Sequence, residues 1–291
     1  MLDGASSPFK ADNVSEQLAS LGLNWFLYKR LIGAQVRSQM QYRSSFVLEA
    51  IAQFAGNVLD FIVVIIFFSR MPTLGGWSLP EIGLLYGLSS MAFGIADMVI
   101  AGFDYAYFGP NMVRLGEFDR VLIRPMNVFL QVLTSQFTLK RLGRIGQGAI
   151  VLGWALIALD QTWSLWQIGY MIVTIISGVF FFSGLFVFGS GISFWTVDSL
   201  EVMNMATYGG QFLTQYPMTI YGDFLRSFFT FVIPMAFINY YPTLWLLGKP
   251  DPLGGPIGLL ALVAPFICLL VFAVGVALWR HGVKHYASTG S

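Results

Sequence analysis

Charge is what this chain has least of. Asp, Glu, Lys and Arg make up 11% of its 291 residues, where a soluble domain carries roughly 25%, and mean hydropathy is +0.69. That excludes an ordinary soluble domain and identifies a membrane protein. There is no surplus of one sign either. The formal net charge is +1, without the basic stripe that a nucleic-acid partner would need. A single cysteine, Cys268, excludes an intrachain disulfide framework. Lying inside an apolar run, it reads as a small packed residue. The two histidines, His281 and His285, sit in a basic tail with no carboxylate or cysteine near them in sequence. They read as a surface pair, and no metal site is expected. A Gly-x-x-x-x-Gly-Lys-Ser/Thr phosphate loop is also missing, since Gly248 and Lys249 run into Pro250. No cluster of nucleophiles or acids replaces it, so neither catalytic residues nor a resident cofactor are expected on this chain.

What the chain has in plenty is aromatic: 27 Phe, 12 Tyr and 8 Trp. In a membrane protein these supply interfacial belts and large packing faces. The fold expected is an all-α polytopic membrane protein with about six transmembrane helices. Residues 1–45 form a tail and an amphipathic surface helix, 46–280 the transmembrane domain, and 281–291 a second tail. The start is polar and mixed in charge, without the apolar core of a signal peptide, so the N-terminus is expected in the cytoplasm, close to Met1. From Val14 onward Leu18, Leu21, Trp25, Tyr28 and Ile32 recur at helical spacing. Lys29, Arg30, Arg37 and Arg43 suit anionic headgroups, which points to a helix lying on the membrane surface. A cytosolic helix packed on a partner fits the same pattern.

Spans are expected near 46–69, 81–102, 127–159, 168–188, 202–216 and 255–279, because about 20 apolar residues cross the hydrocarbon. The third is long, and Lys140, Arg141 and Arg144 place its first half at the interface. Between the first two spans, Gly75, Gly76 and Trp77 form a tight turn with an interfacial anchor. The turn at 160–167 carries Trp163 and Trp166, and a short polar turn is expected at 195–201. The stretch 217–250 is apolar but broken by Pro217, Pro234 and Pro242. Broken backbone at membrane depth must be shielded by protein or line a cavity, so short re-entrant helices in the outer leaflet are expected before the last span. Of the 16 basic residues only Arg70, Arg226 and Lys249 fall outside the proposed inner side. This asymmetry puts both termini in the cytoplasm.

The densest charge lies in 114–125, between the second and third spans. Leu115, Phe118, Leu122 and Ile123 recur at three-and-four spacing, on one side of a short helix. Arg114, Glu117, Arg120 and Arg124 fall elsewhere around it, and Pro125 stops it. Such a helix suits docking on a partner; a solvated loop with capping charges fits the pattern as well. Three carboxylates, Glu49, Asp60 and Asp97, fall inside spans, where a charge costs several kcal/mol and marks a path or a partner. A proton relay is one reading and hydrogen bonds between helices the other.

These features together resemble the ABC-2 family of permease subunits, the membrane half of ATP-driven exporters. The resemblance rests on the layout and on a Gly-x-Phe-Asp-x-x-Leu-x-Arg-Pro run, here Gly116, Phe118, Asp119, Leu122, Arg124 and Pro125. A bacterial branch of the family is matched by Gln39 to Arg43, by Gly75, Gly76 and Trp77, and by Arg141 to Arg144. Phe194 with Trp195, and Gln215, Tyr216 and Pro217, fit it too. The resemblance implies a bacterial inner-membrane protein paired with a second permease, either a copy or a homologue. It implies two cytoplasmic ABC ATPase subunits that carry the ATP and Mg, and a coupling helix that docks on them. Phe118, Asp119 and Arg120 would be its contacts, with Arg124 and Pro125 fixing the elbow. Lipid-like or amphiphilic cargo is implied, with membrane lipids as neighbours. A channel or proton-coupled carrier using Glu49, Asp60 and Asp97 is the alternative, and a polytopic enzyme a third.

Overall fold

The computed structural model describes residues 12–41, 43–196, 201–251 and 254–288, with side chains from residue 26 onward. Most of the expected tail at 1–13, Tyr42, and Asp198 in the expected polar turn therefore lie outside the described residues. Among the described residues the protein is nearly all helical, and its only β contact is a bridge between Leu74 and Trp77. The main helices are α1 (Asp12–Gln41), α2 (Arg43–Phe68), α3 (Leu79–Val99), α4 (Glu117–Leu122), α5 (Val128–Ser135), α6 (Leu142–Ala158), α7 (Leu165–Ile192), α8 (Tyr240–Leu247) and α9 (Ile257–His285). Of these, α2, α3, α7 and α9 are long and apolar enough to cross a bilayer.

α3 is the centre of the bundle. Within its most apolar stretch 78% of residues are buried, against 17% in α2 and in α9, so the latter two form the periphery. Glycine makes this packing possible. Gly87 of α3 meets the backbone of Leu152 in α6, and Gly148 of α6 meets Met91 in α3. Along the α7–α9 seam a Cβ on Gly184 would stand 2.8 Å from Phe272 Cα, and one on Gly275 would run into the carbonyl oxygen of Gly184. Small residues let backbones approach where lipid supplies no hydrophobic drive for helix association. In α9, Pro265 has no N–H for the carbonyl of Ala261. The Tyr170 hydroxyl of α7 donates to that oxygen instead, at 2.6 Å.

Two ends of the bundle are defined by hydrogen bonds between loops. At one end the turn before α3 has Gly75 and Gly76 at φ 59° and 81°, the left-handed pair of a tight hairpin turn. Thr219 donates to Gly75 O at 3.1 Å, and Lys249 donates to Gly76 O at 2.9 Å and to Glu81 at 2.6 Å. Lys249, one of the basic residues on the side expected to be outside, is thus held in an ion pair. The broken stretch before α9 resolves into short helical segments and turns ending in α8, as the prolines require. Its Asn239 donates to Leu85 O and Thr214 O, tying the turns to α3. At the opposite end lie α4, α5, the end of α1 and the tail after α9.

Three boundaries differ from expectation. The region 127–159 is not one long helix: α5 ends at Ser135 and α6 starts at Leu142. The break frees backbone groups that must be paired, and Gln39 of α1 pairs them, donating to Phe137 O and accepting from Leu139 N. The stretch 201–214 is helical but widened to a π-turn at Met205–Gly209, a feature frequent at functional sites. α9 runs on to His285, so the first part of the basic tail is helix. Its two histidines stand one turn apart there, with Trp195 stacked on His281.

Candidate functional site: a tethered helix and a charged cleft

α4 is short because glycine starts it and proline follows it. Gly116 has φ 70°, a left-handed conformation that side chains disfavour. It turns the chain out of the preceding π-helical segment Phe108–Arg114. At the other end Gln131 of α5 donates to Val121 O and to Met126 O, each at 3.0 Å, so the elbow around Arg124 and Pro125 is strapped to the next helix. Asn127 caps α5, its side chain accepting from Leu130 N.

The apolar residues of 114–123 do not share one face. Phe118 is fully buried, with its ring 5.8 Å from Phe108, 5.3 Å from Phe194 and 5.0 Å from Tyr286. Val121 turns the same way. Leu115, Leu122 and Ile123 point out, with Leu115 63% and Ile123 82% exposed. Phe118 is therefore an anchor and not available as a contact. Arg114, Glu117, Arg120, Arg124 and Pro125 remain at the surface around the exposed apolar residues. Asp119 is half-buried and accepts from Ser288 Oγ at 2.7 Å. Burial, and then the neighbouring Asp119 carboxylate, push the Tyr286 phenol up to about 12, so it stays protonated. Glu117 lies at the edge, 3.5 Å from the Tyr107 hydroxyl.

Phe118 thus connects α4 to the end of α7, through Phe194, and to the end of α9, through Tyr286. Phe194 was legible as part of a motif. Tyr286, Ser288 and Gln131 were not, because their pairing with α4 spans more than half of the chain or crosses a proline elbow, beyond any helical period.

The three carboxylates expected inside spans separate into two places. Asp97 is buried and ion-paired with Arg141, which also donates to the Asp97 backbone carbonyl at 2.7 Å. Glu49 and Asp60 open instead onto a cleft of about 480 Å³ between α2 and the start of α6, shared with Gln53, Asn57, Lys140 and Arg144. There Glu49 and Lys140 stand 3.5 Å apart. Arg144 Nε donates to Asn57 Oδ1 at 3.3 Å, and its guanidinium lies 5.0 Å over the Phe93 ring. The opposite flank of α2 carries an apolar hollow lined by Phe61, Ile65 and Trp154.

The protein is thus a multi-pass helical membrane protein with a polar helix tethered at one end of the bundle and a charged cleft on its flank. Residues 54–290 match the model of a family described as ABC-2 family transporter protein. The chain belongs to the ABC-2 transporter family, as a permease, a membrane component and not a catalytic one. No curated protein and no solved structure matches it.

Proposed function

We propose that this chain is the permease subunit of an ATP-driven exporter in a bacterial inner membrane, half of a translocation path for a lipid-like or amphiphilic substrate. A cytoplasmic ABC ATPase, carrying ATP and Mg, docks on α4. A second permease, the same chain or a homologue, packs beside α2. The chain crosses the membrane six times with both termini inside, α6 and the stretch 201–214 supplying the two shorter crossings. The observation that carries the coupling reading is the split character of α4. One side is locked into the bundle by Phe118, while Leu115, Leu122 and Ile123 are exposed among Arg114, Glu117, Arg120 and Arg124. Exposed apolar residues with a charged rim are the composition of a partner contact. In this reading Asp119 is held by the tail, Arg124 and Pro125 set the elbow, and displacement of α4 is passed to α7 and α9 through the ring cluster.

The test is purification of the complex in mild detergent with its ATPase. An Ile123→Asp variant is expected to stay folded and lose ATPase retention about tenfold, the loss of one well-buried contact in an interface. Undiminished retention, together with substrate-stimulated ATP hydrolysis, would remove α4 as the docking element.

A further inference from the structure

We propose that the α2–α6 cleft binds the zwitterionic head group of an amphiphile, with Arg144 receiving its anionic part and Asp60 its cationic part. This rests on the transporter reading and names the substrate class. The cleft holds two cations and two carboxylates. Glu49 and Lys140 satisfy each other. Arg144 and Asp60 feel each other's charge but do not touch, since none of the ion pairs among the described residues joins them. Arg144 is held back by Asn57 and by the face of Phe93, while its Nη1 is buried without a hydrogen-bond partner. Asp60, across the same space, is exposed to it.

A guanidinium and a carboxylate that face one space without touching are each left short of a direct partner, and an ion of one sign serves only one of them. A purely anionic head group would meet Asp60, and a purely cationic one Arg144. A ligand carrying both charges completes two pairs, and charge-assisted hydrogen bonds are the stronger kind. The volume falls in the range of small-molecule sites. Gly56 lines the cleft, and a Cβ placed on it would meet nothing within 4 Å, so a larger side chain there would grow into the open space.

The experiment uses the full chain purified with its partner permease and ATPase in a neutral maltoside detergent, without nucleotide. Retained lipid is read by native mass spectrometry. The probes are phosphatidylethanolamine, phosphatidylglycerol and diacylglycerol of the same chain length. Wild type is expected to retain the zwitterionic lipid best. Arg144→Gln should weaken that retention about tenfold, as loss of a hydrogen bond to a charged group does. Asp60→Asn should reverse the preference in favour of phosphatidylglycerol. Gly56→Leu, which grows into open space and leaves every charge in place, should abolish retention of both charged lipids with the thermal transition unchanged. Equal retention of all three lipids, an anionic preference in wild type, or full retention in Gly56→Leu would overturn the proposal. So would separation of the permease pair in Gly56→Leu, which would make the cleft a subunit contact. ATPase retention measured on the same samples keeps the two readings apart: its loss with lipid binding intact would count against docking at α4 alone.

Discussion

At Phe118 and Ile123, five positions apart on one short segment, aromatic and aliphatic side chains do opposite work. Phe118 is enclosed by Phe108, Phe194 and Tyr286, while Ile123 is 82% exposed. Truncating a buried Phe to Ala costs about 3–5 kcal/mol, here from the seating of α4. Phe118→Ala is therefore expected to raise hydrogen exchange across 117–122 and to uncouple ATP hydrolysis from transport even where the ATPase still binds. Protection equal to wild type in that variant would show that α4 is held by other contacts. Ile123→Asp should leave exchange untouched. The spacing of apolar residues in 114–123 made the helix legible but not the division of labour. Periodicity tells which residues share a side, whereas Leu115 and Phe118 were parted by the turn at Gly116, a backbone feature outside helical geometry.

Among the helices, packing is decided by where side chains are missing. Gly184 and Gly191 of α7 face Gly275 and Gly282 of α9, or the backbone beside them, in a seam with almost no room. Gly275→Leu must push against the Gly184 carbonyl, and overpacking of this kind costs about 1–3 kcal/mol. A lower melting temperature in detergent is expected, measured by intrinsic fluorescence. Gly153→Ala, where a Cβ meets nothing within 4 Å, is the control and should melt at or slightly above the wild-type temperature. If the two variants melted alike, the seam would not be a stabilising contact. Four of the expected spans fall on single long helices, each with an 18-residue stretch apolar enough to cross a bilayer. The expected span 127–159 divides at 136–138 because Gln39, nearly a hundred residues earlier, pairs the exposed backbone there. A long-range partner of that sort leaves no local pattern.

For the molecule as a whole, sidedness is the property that every functional reading depends on. Contacts gather α4, the end of α1 and the tail after α9 at one end of the bundle, and the Gly75–Gly76 turn and Lys249 at the other. If the first end is cytoplasmic, an impermeant maleimide applied to intact cells should label Ser69→Cys at once. Lys284→Cys should react only after permeabilisation. Both residues are exposed, and Cys268 is fully buried, so the native thiol should stay silent. Labelling in the reverse order would invert the topology and remove α4 from the ATPase side.

By itself the sequence determined that this protein lives in a bilayer, that it is helical, and which short segment between spans is unlike the rest. Those properties follow from composition and from repeats within a few turns, where each residue is read against its near neighbours. Tertiary structure alone decided that Asp97 is paired with Arg141 while Asp60 and Arg144 share an open cleft, and that Phe118 is an anchor. The reason is physical: the energy of a charge or a ring in a membrane protein depends on what another helix places beside it. For these residues the decisive neighbours lie tens to more than a hundred positions away along the chain.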